Sequence, residues 1–267
     1  MERMLDNIVF KTVKSEWDVY FDMALEMLRE IMENNKAGRK TVMIVPVGPT
    51  EQYPILARLV NQLQVSLRDV YFFNMDEYLL TPEKTIDYNN PMSFHYRMNS
   101  EFYSRVDEKL LMPESQRIFP EPGKEAELDA MIESLGGVDL CLGGLGINGH
   151  IAFNEPPEPD TKMSAEEFAA LGTRILPISR ETKTINAYGY QRGDLRGMPE
   201  WCITVGMKQI LASRKVYIAL NRPWQHGIVK HVLFDDVQAE IPASLLKMCG
   251  NVKFCASEEI SKGLFEE

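Results

Sequence analysis

The sequence predicts one α/β domain over residues 1–267, with a mostly parallel sheet covered by helices on both faces. Three observations support this prediction. Short apolar runs alternate with amphipathic stretches along the whole chain, which is typical of parallel strands joined by crossover helices. The length of 267 residues and the 45% hydrophobic content suffice for one large core. We find no linker, repeat or low-complexity tract that would divide the chain.

The first predicted elements are a helix and a strand. Apolar residues recur at three- and four-residue intervals between Ser15 and Asn35, which predicts an amphipathic helix capped by Ser15, with Gly38 just past its end. The apolar, β-branched run from Val42 to Val47 then predicts a buried strand that stops at the turn 48–50.

The later elements follow the same pattern. Further helices are predicted at 53–63, 94–106, 124–135 and 225–234, and further strands at 70–73, 138–142, 202–205, 215–220 and 252–255. The Pro-rich, polar stretch at 156–167 predicts a long loop or lid. In parallel sheets ligands bind beyond the carboxyl ends of the strands, so polar residues at those ends are the candidates for function.

Composition limits the classes of partner. Asp and Glu outnumber Lys and Arg by 39 to 29, and the net charge of -10 argues against nucleic-acid binding while allowing a local basic pocket for a small anion. No apolar stretch approaches the roughly 18 residues of a membrane span, and acidic residues within the first six positions do not fit a signal peptide. We expect a cytoplasmic protein with four reduced thiols, whose spacing fits neither a zinc site nor a redox motif: Cys141, Cys202, Cys249 and Cys255.

The turn at 46–51 follows the first predicted strand and enters a predicted helix. Free backbone N–H groups at a helix start favour an anion, which makes Gly48 and Thr50 candidate ligand contacts. The alternative is a tight turn in which Thr50 is only the helix N-cap.

Two adjacent acids, Asp76 and Glu77, follow the second predicted strand. A carboxylate at this place is partly desolvated, which raises its pKa toward the range that suits a general base. The alternative is that Asp76 caps a helix and that Glu77 is solvated.

The Gly-rich segment 143–156 is the most informative cluster. Its glycines match the spacing of a dinucleotide-binding fingerprint, but two prolines directly after Glu155 stop the chain before a helix can follow. Glycines followed by a histidine and a carboxylate indicate instead a backbone-lined pocket, with Gly144 and Gly146 in its wall. His150 and Glu155 are then a proton-transfer pair.

Three motifs together resemble the glucosamine-6-phosphate deaminase/isomerase family. They are N-M-D-E-Y at 74–78, G-I-N-G-H-I-A-F-N-E-P at 146–156 and T-V-G at 204–206, and their order and spacing agree over most of the chain. The related 6-phosphogluconolactonases share the fold and the G-x-x-G-H core. They typically carry D-E-R where this chain has D-E-Y, and they lack F-N-E-P, so the motifs favour the deaminases.

The resemblance implies a Rossmann-like domain that couples aldose–ketose isomerisation to deamination of an amino sugar phosphate, without a metal or redox cofactor. By position, Asp76 matches the base that moves a proton between C2 and C1 through an enolamine. His150 matches the ring-opening histidine, and Glu155 its carboxylate partner. These residue types suit the chemistry, because C2–H is a weak acid that needs a close carboxylate and ring opening needs a group that titrates near neutrality.

One departure from the family concerns the histidine. The usual G-x-D-G-H is G-I-N-G-H here, so Asn148 replaces an aspartate that orients the imidazole. An amide accepts a hydrogen bond but supplies no charge, and it can select the wrong tautomer. By analogy with other histidine–carboxylate pairs, the loss would reach about three or four powers of ten if ring opening limits turnover.

Other departures concern the phosphate. The family's phosphate-binding arginine falls at Lys183, and its lysine at about Gln225. The family's T-G-G-T-P loop reads V-G-P-T-E at 47–51, which loses an N–H donor and adds an acid. Arg222 is the candidate replacement cation, since an Arg at a strand end before a helix can hold a phosphate or carboxylate. Glu77 completes the predicted substrate contacts.

Alternatives stay open at this point. One is an isomerase that acts on a differently substituted sugar, since the phosphate contacts have changed. Another is a non-catalytic sugar-phosphate-binding protein in which Asn148 has abolished turnover. The segment 156–172 looks longer than in the family and predicts an altered lid, and T-R-I-L at 173–176 in place of T-R-I-K argues against allosteric activation. Relatives commonly associate, so a homo-oligomer is a further expectation.

Overall fold

A computed structural model describes residues 2–5 and 7–265 of the chain. The expectation drawn from the first six residues falls partly outside this range, because Met1 and Asp6 are not among the described residues. Within the described range, no helix combines the length and the apolar character that crossing a membrane requires.

The described chain contains twelve strands and nine α-helices. The strands are β1 Glu2–Leu5, β2 Ile8–Val13, β3 Thr41–Val45, β4 Val70–Asn74, β5 Asp76–Thr81, β6 Lys84–Thr85, β7 Arg117–Ile118, β8 Leu140–Gly143, β9 Arg174–Pro177, β10 Trp201–Thr204, β11 Val216–Leu220 and β12 Val252–Ser257. The helices are α1 Glu16–Lys36, α2 Gln52–Leu63, α3 Phe94–Glu101, α4 Glu125–Ser134, α5 Ala165–Ala169, α6 Arg180–Tyr190, α7 Met207–Leu211, α8 Gln225–Phe234 and α9 Glu258–Ser261.

Eight strands form the main sheet, in the order β1-β2-β12-β11-β8-β3-β4-β7. Among the described strands, every neighbouring pair in this sheet is parallel except the β1–β2 hairpin. The prediction of a mostly parallel sheet is therefore confirmed. The carboxyl ends of β3, β8 and β11 consequently open onto the same edge, as the crevice rule for such sheets requires.

Helices cover both faces of this sheet, as predicted. Alternate side chains of β3 enter opposite apolar cores: Met43 and Val45 pack with α1 and α2, while Val42 and Ile44 pack with the helices of the other face. All of these side chains are buried. A strand buried on both faces reads as a continuous apolar run, which is why this one was evident in the sequence.

The first helix matches its prediction. Ser15 caps α1 in a capping box with Asp18, and Gly38, with a φ of 65°, follows its end. The carboxyl group of Asp22 on α1 is buried between Lys11 of β2 and Lys253 of β12, which fixes the helix to the sheet. The β1–β2 hairpin itself was not predicted.

A second, antiparallel sheet of four strands, in the order β6-β5-β10-β9, was also not predicted. The predicted strand at 202–205 exists, but it belongs to this small sheet as β10. Asp76, which the sequence places just after a strand, itself begins β5 and pairs with Thr204. The small sheet thus carries the candidate base to the edge where the main strands end.

The segment predicted as a loop or lid is only partly irregular. No helix or strand occurs at 155–164, and α5 follows, with Ser164 as its N-cap. The Gly-rich segment also runs on without a helix until α5, which contradicts a dinucleotide-binding turn.

Candidate active site

One cavity of about 830 Å³ lies at the carboxyl edge of the main sheet. Its wall includes both Asp76 and His150, the two residues on which the sequence-based hypothesis depends. Turns after β3, β8 and β11 contribute to it, and α3 and α6 contribute side chains from the flanks. The lining also contains Tyr78, Phe94 and Phe153, whose rings are in mutual contact.

Asp76 is a buried carboxyl group that faces this cavity. It is 6% exposed, and no described residue donates a hydrogen bond to its carboxyl oxygens. Burial raises the pKa of Asp76 well above its usual range, and the neighbouring charge of Glu77 raises this pKa further. A carboxylate that water and hydrogen bonds stabilise so little is a strong base for a carbon-bound proton.

Glu77 points away from the cavity and anchors α3. Its carboxyl oxygens accept hydrogen bonds from Ser93 Oγ at 2.8 Å, Phe94 N at 2.9 Å and His95 N at 3.0 Å. Burial raises the pKa of Glu77, although these backbone and side-chain donors partly oppose the change. Glu77 does not line the cavity. Its position therefore differs from the one predicted for a substrate contact. Its role in the structure is to position the helix beside the site.

Asn148 connects the histidine to the carboxylate. Its Oδ1 lies 2.7 Å from His150 Nδ1, and its Nδ2 donates to Glu155 Oε2 at 2.7 Å. Nδ1 of His150 also lies 3.5 Å from Glu155 Oε2. The three predicted residues thus form one continuous chain of polar contacts, which we call the relay.

The relay selects the imidazole tautomer. A carboxylate only accepts hydrogen bonds, so the amide must turn its NH₂ group toward Glu155 and its oxygen toward His150. Nδ1 of His150 then carries the proton, and Nε2 keeps its lone pair. Since no described residue bonds to Nε2 and the ring lines the cavity, Nε2 is the nitrogen presented to a ligand. The concern that Asn148 selects the wrong tautomer is therefore not supported by the geometry.

Glu155 keeps its charge within the relay. Burial alone raises its pKa, but His150 and the amide of Asn148 outweigh burial and lower the pKa of Glu155 to about 2. Ser179 N donates to its other oxygen at 3.3 Å. The negative charge that Asn148 lacks is thus supplied by Glu155, the next member of the relay.

Gly146 lies directly against the imidazole. A Cβ at this position would lie 2.1 Å from Cε1 and 2.2 Å from Nε2 of His150, inside the van der Waals radius of the ring. The predicted backbone-lined pocket is therefore present here, and only glycine fits beneath the histidine.

We expect Gly146→Ala to lower kcat by about 100-fold or more, because the displaced ring loses its 2.7 Å contact with Asn148. Steady-state kinetics measures the change in kcat, and thermal unfolding shows whether the variant is folded. Gly227→Ala on α8 is the matched control, since its Cβ would meet no atom within 4 Å. A Gly146→Ala enzyme as active as this control would contradict the placement of His150.

The T-V-G motif holds the relay loop in place. Asn154 Nδ2 donates to Val205 O at 2.9 Å, and Phe153 N donates to Thr204 Oγ1 at 3.1 Å. Arg174 Nη1 donates to Asn154 Oδ1 at 2.6 Å. Arg174 therefore braces this loop from behind, which gives it a structural role.

The turn after β3 lies beside the Gly-rich loop. A Cβ on Gly144 would lie 3.0 Å from Gly48 O, so the two backbones touch within the cavity wall. Thr50 does not line the cavity, and its N–H donates to Glu51 Oε2 at 3.0 Å. Glu51, and not Thr50, is the N-cap of α2.

Gln225 lies in the cavity wall, but its amide group is occupied by backbone groups. Oε1 accepts from the N–H groups of Asn221 and Arg222, both at 2.8 Å, and Nε2 donates to Leu145 O at 2.8 Å. The side chain is 2% exposed. Gln225 thus ties the turn after β11 to the Gly-rich loop, while the exposed Arg222 lines the cavity from the same turn.

Lys183 is not brought to the site. It lies on α6, and its Nζ forms an ion pair with Glu200. The family-based expectation that Lys183 contacts the phosphate conflicts with this placement, since Lys183 is absent from the cavity lining. Sequence reasoning also missed Thr182, whose Oγ1 lies 3.3 Å from His150 Nδ1, and Arg97 on α3; neither lies in a recognisable motif.

Across residues 2–5 and 7–265, no group of three or more His, Cys, Asp or Glu side chains is arranged to hold a metal ion. The four cysteines are buried and unpaired.

Comparison with known proteins gives a consistent result. No protein-family model matches the chain. A glucosamine-6-phosphate deaminase of Geobacillus sp. (strain WCH70) is 30% identical over 249 residues, covering 90% of this chain and 91% of that protein. Among solved structures, a monomeric glucosamine-6-phosphate deaminase superposes with a TM-score of 0.81 at 22% identity, over 94% of this chain and 98% of that one. The 6-phosphogluconolactonase of Trypanosoma brucei superposes with a TM-score of 0.66 at 16% identity, over 96% and 98%. At these identities the two superpositions establish a shared fold.

Proposed function

The chain belongs to the glucosamine-6-phosphate deaminase family, and on this premise we propose that it converts glucosamine 6-phosphate and water into fructose 6-phosphate and ammonia. One observation carries the proposal: Asp76 and His150 line the same cavity. A single ligand there can reach both the buried carboxyl group and the imidazole whose tautomer the relay selects.

His150 opens the sugar ring in this proposal. Nε2 accepts the proton of the hydroxyl on C1 and returns it to the ring oxygen, which breaks the bond between C1 and that oxygen and leaves an aldehyde at C1. The imidazolium formed on the way is stabilised by the relay, because the charge of Glu155 lies 3.5 Å from Nδ1.

Asp76 then moves a proton from C2 to C1. Its carboxylate takes the C2 proton, the electrons of the C–H bond form the C1–C2 double bond of the enolamine, and the carbonyl electron pair moves to the C1 oxygen. That oxygen takes a proton from the substrate's ammonium group. The now protonated Asp76 returns a proton to C1, which leaves an iminium group at C2. Burial of Asp76 supports this role, because a poorly solvated carboxylate loses little hydration when it approaches carbon.

Water completes the reaction by adding to the iminium carbon, after which ammonia leaves and the ketone of fructose 6-phosphate remains. The reaction is thus an isomerisation followed by a hydrolysis. The aromatic rings of Tyr78, Phe94 and Phe153 give the cavity an apolar side suited to the face of a sugar that carries its C–H groups.

Purified protein supplied with glucosamine 6-phosphate should release ammonia and fructose 6-phosphate in equal amounts. Glucosamine and glucose 6-phosphate serve as matched substrates that lack the phosphate or the amine, and C2 proton exchange in heavy water is followed in parallel. Exchange without ammonia would favour an isomerase for another sugar. Ligand-induced stabilisation with neither exchange nor ammonia would instead favour the non-catalytic binding protein.

We further propose that the chain works in the cytoplasm on a small sugar phosphate, without a nucleic-acid or membrane partner. The unpaired thiols and the net charge of -10 support this setting. Self-association remains the further expectation, supported by Trp17 and Phe21 on α1, which are 63% and 47% exposed.

A further inference from the structure

The cation that sequence analysis missed, Arg97, is held beside the turn after β3. Glu77 fixes the first turn of α3 through Phe94 N and His95 N, and Arg97 follows on the same helix. Arg97 Nη2 donates to Thr50 Oγ1 at 3.2 Å, and the half-buried side chain lines the cavity. The anchored helix and the bond to Thr50 therefore set the position of this guanidinium.

The turn itself offers little to an anion. Pro49 has no N–H group, and the N–H of Thr50 already donates to Glu51 Oε2 at 3.0 Å. The anion site predicted from backbone donors has thus lost two of them. A guanidinium carries five N–H donors and a permanent charge, so Arg97 supplies at this turn what the backbone lacks.

Arg222 lies near the same turn from the other side. Gly48 and Pro49 of that turn and Arg222 of the turn after β11 line the same cavity. The backbone contact of Gly144 with Gly48 and the bond from Gln225 to Leu145 O join the two turns. Arg222 carries one positive charge, which leaves it alone a weak match for a dianion.

We propose that Arg97 and Arg222 together hold the phosphate of the substrate, in place of the cations that the family carries where this chain has Lys183 and Gln225. Among the described residues that line the cavity, these two are the lysine or arginine side chains, and their summed charge balances a phosphate dianion. The inference rests on the proposed function and specifies which acidic group the site accepts.

The test compares Arg97→Gln, Arg97→Lys and Arg222→Gln with Arg58→Gln, an exposed arginine on α2 that lies outside the cavity. We expect Arg97→Gln to raise KM for glucosamine 6-phosphate by about 10- to 100-fold with kcat changed only a few-fold, since the lost bonds hold substrate and transition state alike. Arg97→Lys should recover part of the loss. Turnover of unphosphorylated glucosamine should not respond to Arg97→Gln.

Inorganic phosphate separates this inference from the proposed function. Millimolar phosphate should raise the Tm of the wild type and of Arg58→Gln, and it should raise the Tm of Arg97→Gln and Arg222→Gln much less. Such a result without any deaminase activity would overturn the proposed function and leave the arginine pair standing. If the wild type deaminates normally, and if Arg97→Gln has the same KM and the same phosphate response as Arg58→Gln, the arginine pair alone is overturned.

Discussion

Replacement of Asp76 by Asn is expected to lower kcat for glucosamine 6-phosphate by about 10³- to 10⁴-fold, because the amide cannot take the C2 proton. C2 proton exchange in heavy water should fall by the same factor. In the wild type, activity should rise with pH through the raised pKa of Asp76, since only the ionised carboxylate is the base. Equal exchange rates in the two proteins would show that another group is the base.

The same substitution should make the fold more stable at neutral and alkaline pH. The pKa of Asp76 is raised in the folded state, so the folded protein binds this proton more tightly than the unfolded chain does. The stability that this provides is complete below the ordinary carboxyl pKa and is lost as the pH rises through the raised value. The Tm of Asp76→Asn should therefore exceed that of the wild type at pH 8, and the two should converge below about pH 4.

The second large effect is expected for Asn148→Leu. Leucine has a similar size but neither holds Nδ1–H of His150 nor donates to Glu155, so the tautomer preference is lost. We expect kcat to fall by about 10²- to 10⁴-fold with a smaller change in KM. The chain has 4 histidines, which makes nitrogen NMR of the imidazole rings practical: His150 should show the Nδ1–H form in the wild type and a mixture in the variant.

Asn148→Asp tests whether the amide at position 148 serves the relay or impairs it. In the structure Asn148 Nδ2 lies 2.7 Å from Glu155 Oε2, so an aspartate there would set two carboxylates against each other. We expect no large gain of activity from this change at neutral pH. A gain of more than about tenfold would indicate that the native amide is a damaged relay, as the family comparison alone suggests.

The main sheet was predictable because its strands are short, apolar and buried on both faces, as at 42–47 and 215–220. The small sheet was not. Only Met75 separates β4 from β5, and the polar start of β5 resembles the first turn of a helix. Its extended conformation depends on pairing with β10, more than 120 residues later, which no local pattern records.

The candidate site shows the same division. Asp76, His150 and Glu155 could be proposed because each lies in a local motif at a strand end. Arg97 could not, because its place in the cavity wall depends on the anchoring of α3 by Glu77 and on the bond to Thr50, which no local pattern records. Lys183 was assigned by family position, but its ion pair with Glu200, 17 residues away, decides where its charge lies.

Asp76 and Glu77 illustrate a constraint on how this protein can change over time. They are consecutive on β5, and successive side chains of a strand leave opposite faces, so one acid meets the ligand and the other the helix. Gain or loss of one residue just before them would exchange their surroundings. This strand can therefore change by point substitution during evolution. An insertion or deletion here would remove the base and the helix anchor in a single event.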